Sequence, residues 1–380
     1  MPPDPTRPLA PSLHPAAVYA LTDLDALEAV YAGGPGFIYA RDGHPNAARL
    51  AEHLAALEAG TWGVVTGTGM GALVAAVLGC VSAGDRVVAA DRLYGKTAKL
   101  LHVELARFGV TTTAVDASDL AAVRAALAAG PVRAVLVETI GNPLCRLTDV
   151  AAVADLAHAA GAQLIVDNTF ATPALCRPLE LGADLVMESL TKLIGGHSDL
   201  ILGFLAGRDP ALFSTIGGLV STWGLMAGPF DCWLAERSLG TLSLRATAAC
   251  ATAAAVADWL ATQPVVVAVH YPGRPDHPDH AFARRLLPHG FGHMLAFELA
   301  GGRDAVNRFL RAAPGIPFAP SLGHLTTTVS YPAGTSHRDL SEADRQRQGI
   351  GPGLVRLSAG CEPAAGVIAE LTKGLAAAVL

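Results

Sequence analysis

Between residues 87 and 189 the chain alternates short, almost wholly apolar runs with longer segments whose apolar positions recur at helical spacing. "VVAA" (87–90) precedes a helical stretch from Lys96 to Phe108, and "TTTAVD" (111–116) leads into "SDLAAVRAALAAG", with Ser118 as the expected N-cap and Gly130 as the stop. "RAVLVE" (133–138) precedes "TDVAAVADLAHAAG", with Thr148 as the expected N-cap and Gly161 as the stop; "QLIVDN" (163–168) and "ADLVMES" (183–189) follow. Continuous apolar runs read as strands buried on both faces, and their alternation with helices requires βαβ units. The pattern predicts an α/β fold built on a mainly parallel, doubly wound sheet.

After about Leu239 the pattern changes. A long Ala-rich helix is followed by "YPGRPDHPDH", "FGHMLAFELA", "LTTTVSYP" and "GLVRLSAG", separated by helical pieces. That reads as a smaller α+β domain packed on the first. The expected division is an extended arm over residues 1–45, a large α/β domain over 46–238 and the smaller domain over 239–380. The N-terminal "MPPDPTRPLAPSLHP" is proline-rich and lacks the apolar core of a signal peptide. Ala246–Leu260 is broken by Asp258 and falls short of the roughly 20 apolar residues that span a bilayer. A soluble protein without membrane partners is expected.

Composition narrows the function classes. The 380 residues carry a net charge of −6 and only 16% charged side chains, with arginines scattered along the chain, which argues against nucleic acid as a partner. Six widely spaced cysteines with no C-x-x-C pair read as reduced thiols in a cytoplasmic protein. Of 27 basic residues only Lys96, Lys99, Lys192 and Lys373 are lysines. Arginine serves any surface charge, but its guanidinium cannot act as an amine nucleophile, so Lys192, set among small and apolar residues, stands out.

Sites in open α/β sheets lie at the carboxyl ends of strands. Three features fall there. "WGVVTGTGMGALVAAVLG" reads as strand, glycine-rich turn and helix, and Gly67-x-Gly69-x-x-Ala72 with Asp91 fits a dinucleotide fingerprint, so a nicotinamide-dependent oxidoreductase is one alternative. Common to all readings is a phosphate held by backbone N–H groups at a helix N-terminus. Asp167 ends an apolar strand, and Lys192 follows another, 25 residues on. A lysine in a dry pocket, an acid and a phosphate seat on successive strand ends match the needs of pyridoxal 5'-phosphate: the lysine for a Schiff base, the acid for the pyridine nitrogen, the turn for the phosphate. His197 with Asp199, and His277 with His280, lack a further ligand at metal spacing, and no metal is expected.

The chain resembles the Cys/Met-metabolism family of pyridoxal-phosphate enzymes over Tyr39 to Glu362. "DLVMESLTKLIGGHSD" follows the family's lysine-site pattern, "TGTGMGA" its phosphate turn, "DRLYGKT" its Asp-x-x-Tyr-Gly-x-Thr, and "GLVRLSAGCE" its Arg-x-Ser-x-Gly-x-Glu segment. The resemblance implies a fold-type I enzyme in which Lys192 forms the Schiff base and acts on the substrate's α-proton. It implies that Thr68, Gly69, Met70, Ser189 and Thr191 hold the phosphate, Tyr94 stacks on the cofactor ring and can carry a proton, and Asp167 faces the pyridine nitrogen. Asn142 then lies near the cofactor's phenolic oxygen and the substrate carboxylate, which Arg356 clamps with Ser321 beside it. "FIYARDGHPN" keeps Tyr39 and Arg41, which by the same resemblance reach the phosphate of a neighbouring subunit in a homotetramer of site-sharing dimers. The implied activity is γ-elimination or γ-replacement on a sulfur amino acid or O-acyl homoserine, with β-elimination from cystathionine as the alternative. Pro320 stands where cystathionine-binding members carry an acidic residue, and Lys96 where methionine γ-lyases carry cysteine.

Overall fold

Leu164, Ile165 and Val166 have no exposed surface, and the strand that carries them has helices packed over both faces of its sheet. Each such side chain contributes roughly 1.5–3 kcal/mol through burial. In the computed structural model, which describes residues 8–379, this strand is one of seven in a mixed sheet. The strands are β1 (Trp62–Thr66), β2 (Arg86–Ala90), β3 (Thr111–Val115), β4 (Ala134–Glu138), β5 (Gln163–Asp167), β6 (Leu185–Ser189) and β7 (Gly203–Gly207), in the order β1-β7-β6-β5-β4-β2-β3. From β3 to β6 neighbouring strands are parallel, while β7 runs antiparallel to both β6 and β1. Two reversals restore direction, so β1, β4, β5 and β6 all end at one edge of the sheet. The run "GFLAG" of β7 is as long as its neighbours, but glycines bound it and only Phe204 and Leu205 are large and apolar, so nothing marks it as a strand.

A second sheet is wholly antiparallel, in the order β10-β11-β9-β8: β8 (Val266–His270), β9 (Met294–Leu299), β10 (Thr328–Ser330) and β11 (Leu354–Ser358). Each sheet has its own core, and the helix Leu242–Leu260 belongs to both. Leu242 and Ala246 pack into the first, Ala253, Val256, Ala257 and Leu260 into the second. A third cluster, including Ile140, Phe170, Cys250, Met294 and Leu322, fills the seam between the two sheets.

Several local expectations change. Ser118 does not cap its helix; the cap is Asp119, whose carboxylate accepts from the N–H groups of Ala121 and Ala122 at 2.9 and 3.2 Å. The hydroxyl of Ser118 donates to Asp116 instead. Likewise Asp149, not Thr148, caps the next helix, and Thr148 donates to the Glu138 carbonyl across the turn. In both cases a carboxylate one residue on is the better acceptor for a helix's first N–H groups. The stretch predicted as one helix from Lys96 to Phe108 is a short helix, Gly95–Lys99, that loosens into a π-turn and then tightens.

The fingerprint reading of Gly67–Ala72 also fails on topology. Its acid should follow the strand adjacent to β1, yet Asp91 follows β2, with β7, β6, β5 and β4 in between. Among the described residues no single helix is long and apolar enough to cross a membrane. Of the arm expected over 1–45, residues 1–7 lie outside the described residues.

Candidate active site

Where β1, β4, β5 and β6 end, the second sheet closes over them and leaves a cavity of about 480 Å³. Thr68 caps the helix Gly69–Cys80 by accepting from the Gly71 N–H at 2.9 Å, which leaves the N–H groups of Gly69 and Met70 without intrahelical acceptors. A Cβ on Gly69 would stand 2.7 Å from the Ser189 Cβ, so only glycine lets this turn approach the end of β6. The hydroxyl of Ser189 faces the gap. That of Thr191 is tied to the Leu202 backbone, donating to its carbonyl at 3.3 Å and accepting from its N–H at 3.1 Å. Helix N–H groups and a free hydroxyl at one helix start form a seat for a phosphate.

Asp167 ends β5 and accepts from the Thr169 N–H at 3.0 Å; Thr169 in turn accepts from the Ser189 N–H at 2.9 Å. Glu138 ends β4 directly beside it in register. Burial raises the affinity of both carboxyls for a proton, and in Glu138 the neighbouring Asp167 raises it further. Glu138 accepts from the N–H groups of Tyr94 at 2.7 Å and Asn142 at 3.1 Å, so one carboxylate anchors two loops. A half-buried lysine lies ahead of them: desolvation first, and then Arg356, lowers the pKa of the Lys192 amine. Its Nζ donates to the Ser321 hydroxyl at 3.2 Å.

Arg356, on β11, is 4% exposed. Its guanidinium donates to the Asn142 side-chain oxygen at 2.8 Å and to the Ser321 carbonyl at 3.3 Å. Both of these acceptors are neutral oxygens, and burial brings the guanidinium's pKa down to about 10. A buried guanidinium lacking an acid is a receptor for one.

Thr68, Gly69, Met70, Tyr94, Asn142, Asp167, Ser189, Thr191, Lys192, Ser321 and Arg356 therefore line one cavity. Tyr39 and Arg41 do not. They lie outside it, both about half exposed, with the Arg41 guanidinium 5.2 Å over the Tyr39 ring and Arg41 lining a separate cleft of about 700 Å³. That larger cleft holds no lysine, so chemistry and volume do not coincide. His277 accepts from the Asp279 N–H and His280 donates to the Pro272 carbonyl, which makes this pair a turn. Among the described residues no cluster of three His, Cys, Asp or Glu side chains could hold a metal.

Sequence reasoning missed four contributors. Glu138 carried a signal, an acid ending an apolar strand just as Asp167 does. Arg338 and Ser336 line the cavity mouth from a loop with no apolar period to mark it. Arg245, 6% exposed in the long helix, donates to the carbonyls of Leu193, Ile194 (2.8 Å) and Ser238 (2.8 Å), and its Nε to the Thr241 hydroxyl at 3.0 Å. It clamps the loop that carries Lys192 from behind.

The residues thus fit pyridoxal phosphate: a phosphate seat, a desolvated amine and a buried acid share one cavity. Comparison with known proteins agrees. The family model described as Cys/Met metabolism PLP-dependent enzyme matches residues 3–376. The chain is 42% identical to an O-succinylhomoserine sulfhydrylase of Pseudomonas aeruginosa, over 90% of this chain and 84% of that one. It is 40% identical to an L-methionine gamma-lyase of Porphyromonas gingivalis, over 90% of this chain and 85% of the other. The crystal structure of cystathionine gamma synthase from Xanthomonas oryzae pv. oryzae, in complex with aminoacrylate and cysteine, superposes with a TM-score of 0.93 at 35% identity, covering 98% of this chain and 94% of that chain. Relatives of such similarity over such spans leave one conclusion: this chain belongs to the Cys/Met metabolism family of pyridoxal-phosphate-dependent enzymes.

Proposed function

We propose that the protein catalyses γ-elimination or γ-replacement on a sulfur amino acid or an O-acyl homoserine. One observation carries this reading: Lys192 and Arg356 meet across a single residue, the amine on the Ser321 hydroxyl and the guanidinium on the Ser321 carbonyl. An α-amino acid offers its amine and carboxylate at about that separation. When bound, the cofactor supplies an electron sink for charge developing at the substrate α-carbon.

The chain's own groups do the rest. Arg356 takes the substrate carboxylate in place of the Asn142 side-chain oxygen or beside it, and so fixes which Cα bond faces Lys192. Lys192, desolvated and poorly able to hold its proton, takes the α-proton at Nζ and can return it further along the side chain. Asp167 would face the pyridine nitrogen of the bound cofactor, and Glu138 beside it carries the proton that two adjoining carboxyls cannot both lose. Tyr94 would cover the cofactor ring, and Thr68, Gly69, Met70, Ser189 and Thr191 would hold the phosphate, Ser189 with the freer hydroxyl.

Tyr39 and Arg41, turned away from their own cavity, are proposed to complete that of a neighbouring copy in a homotetramer in the cytoplasm. The division at residues 45 and 238 is kept with one amendment, that the helix Leu242–Leu260 serves both cores. Pro320 lines the cavity without a charge to offer a distal ammonium, which argues against cystathionine.

The test supplies the holoenzyme with O-succinyl-L-homoserine, O-acetyl-L-homoserine, L-methionine and L-cystathionine, each with and without added thiol. Release of a 2-oxo acid or formation of a thioether from at least one γ-substituted substrate is expected. Neither product from any of them would overturn the proposal.

A further inference from the structure

His337 is 1% exposed, in the irregular segment between β10 and β11. Its Nδ1 shares a 2.8 Å hydrogen bond with the Ser336 hydroxyl, and its main-chain N–H donates to the Pro332 carbonyl at 2.9 Å. Burial, reinforced by Arg356, holds the ring neutral by bringing its pKa down to about 4. The buried ring pins the segment. On one side of it the Ser336 carbonyl lies so close over Gly95 that no side chain would fit there, which fastens the segment to the turn that carries Tyr94. On the other side Arg338 leaves the backbone and, with Thr335 and Ser336, forms part of the cavity wall.

Arg338 differs from the two other cations of that wall. Arg356 is buried and Lys192 half-buried, and both are bonded to Ser321, whereas the Arg338 side chain is 66% exposed, with only its neighbour Asp339 near, at 3.5 Å from Nε. Asp339 is shared with Lys96, at 4.0 Å, and neither lines the cavity. The acids of the cavity, Glu138 and Asp167, lie at its buried floor. The charge presented at the entrance is therefore that of a guanidinium flanked by the Ser336 and Thr335 hydroxyls. A substrate held by its carboxylate on Arg356 and its amine at Lys192 must extend its γ-substituent outward, toward this wall.

We infer that Arg338 is a specificity-determining residue that binds a carboxylate at the far end of the γ-substituent, so that the preferred substrates are homoserine esters with a dicarboxylic acyl group. This rests on the γ-substitution reading above. A carboxylate in that position would meet two parallel N–H donors, whereas an acetyl or S-methyl group would leave the guanidinium to solvent. The discrimination acts on substrate binding, remote from the reacting atoms, and so falls on KM more than on kcat.

The test measures kcat/KM of the holoenzyme for O-succinyl- and O-acetyl-L-homoserine with hydrogen sulfide as acceptor, in wild type and in Arg338→Ala, Arg338→Lys and Arg338→Glu. The succinyl-to-acetyl ratio is expected to fall on the order of tenfold in Arg338→Ala, mostly through KM, to recover in part in Arg338→Lys and to fall below the Ala value in Arg338→Glu. A wild type that turns over both esters with a ratio that none of the three variants changes overturns the assignment of Arg338 and leaves the γ-substitution reading standing. A wild type that turns over neither ester nor methionine overturns that reading itself.

Discussion

The floor and the mouth of the cavity are built by opposite means. At the floor the polar groups are buried or half-buried and most are tied: Glu138 to two loop N–H groups, Asp167 to Thr169, Thr169 to Ser189, Arg356 to Asn142 and Ser321. At the mouth Tyr94, Lys96, Arg338 and Asp339 are 40–66% exposed, and the ion pairs among them are 3.5–4.0 Å long. A prearranged floor suits chemistry common to many substrates, because its donors need not reorganise as charge develops. A hydrated, loosely paired mouth can be rewritten by one substitution without unfolding anything. The difference teaches where to look for each half of the function: reaction type in the floor, substrate in the mouth.

The largest expected effect breaks the floor at its nucleophile. Lys192→Ala should lower kcat by at least about 10³-fold with every substrate alike, as removal of a general base and covalent link does. The cofactor-free variant should unfold at the same or a higher temperature than wild type, because a desolvated amine strains the fold that buries it. Steady-state rates and thermal unfolding of the cofactor-free chains check both halves. A substrate-dependent loss would mean that Lys192 reads substrates too, and the division between floor and mouth would fail.

The second effect tests whether the floor is held from behind. Arg245→Met keeps the volume but removes the donors to the carbonyls of Leu193, Ile194 and Ser238. Buried carbonyls left without partners should cost about 3 kcal/mol of stability in total. A positioning role adds what a purely structural one does not: a shifted absorption maximum of the bound cofactor and a lower kcat at unchanged KM. Lost stability with an unaltered spectrum would confine Arg245 to the fold.

How much of this was legible in the sequence follows the same division. Apart from Arg356, which lies in the middle of β11, these floor residues stand at the end of an apolar strand or in the turn after it, so a continuous apolar run closed by polar residues marked Asp167, Ser189, Lys192 and the Thr68 turn. Glu138 obeys the same rule, ending β4 beside Asp167, but a second acid at a strand end carries no separate chemical signature. The strand order was not legible, and it alone removes Asp91 from the site, since pairing partners far apart in sequence leave no local trace. Arg245 looked like one more helix arginine, because its targets are backbone carbonyls 51 and 52 residues away in sequence. Arg338 lies where no periodicity exists to read, and only the burial of its neighbour His337 gives it a fixed position.

A third effect asks whether rigidity continues beneath the floor. Glu58 and Glu188 are fully buried against each other, and the Asn168 amide donates to both, at 2.9 and 3.3 Å. Burial pushes Glu58 up to about 7, and Glu188 is raised as well, by burial and then by Glu58. With a raised pKa the folded state keeps a proton that the unfolded chain has released. Stability from this pair is therefore complete below about 4.5 and lost as pH rises toward about 7, by up to roughly 1.4 kcal/mol per pH unit for each of the two carboxyls. Glu58→Gln should flatten that part of the pH profile of urea unfolding relative to wild type. Equal slopes in the two proteins would show that the pair is ionised throughout, and that the layer below Asp167 is wetter than its burial implies.

The smallest effect belongs to the mouth. Lys96 and Asp339 are both about half exposed and 4.0 Å apart, a separation at which a surface pair contributes about 0–1 kcal/mol. Lys96→Ala should move the midpoint of thermal unfolding by no more than a degree or two, since 1 kcal/mol shifts a chain of this size by about 2–4 °C at most. Its effect on the succinyl-to-acetyl ratio should be smaller than that of Arg338→Ala, and opposite in origin. Removing Lys96 frees Asp339 to pair with Arg338, so the ratio should fall by less than about threefold, and 0.5 M salt should erase the difference. If Lys96→Ala instead lowered the ratio more than Arg338→Ala, the distal carboxylate would sit on the lysine. The mouth would then read its substrate from the Tyr94 turn rather than from the segment pinned by His337.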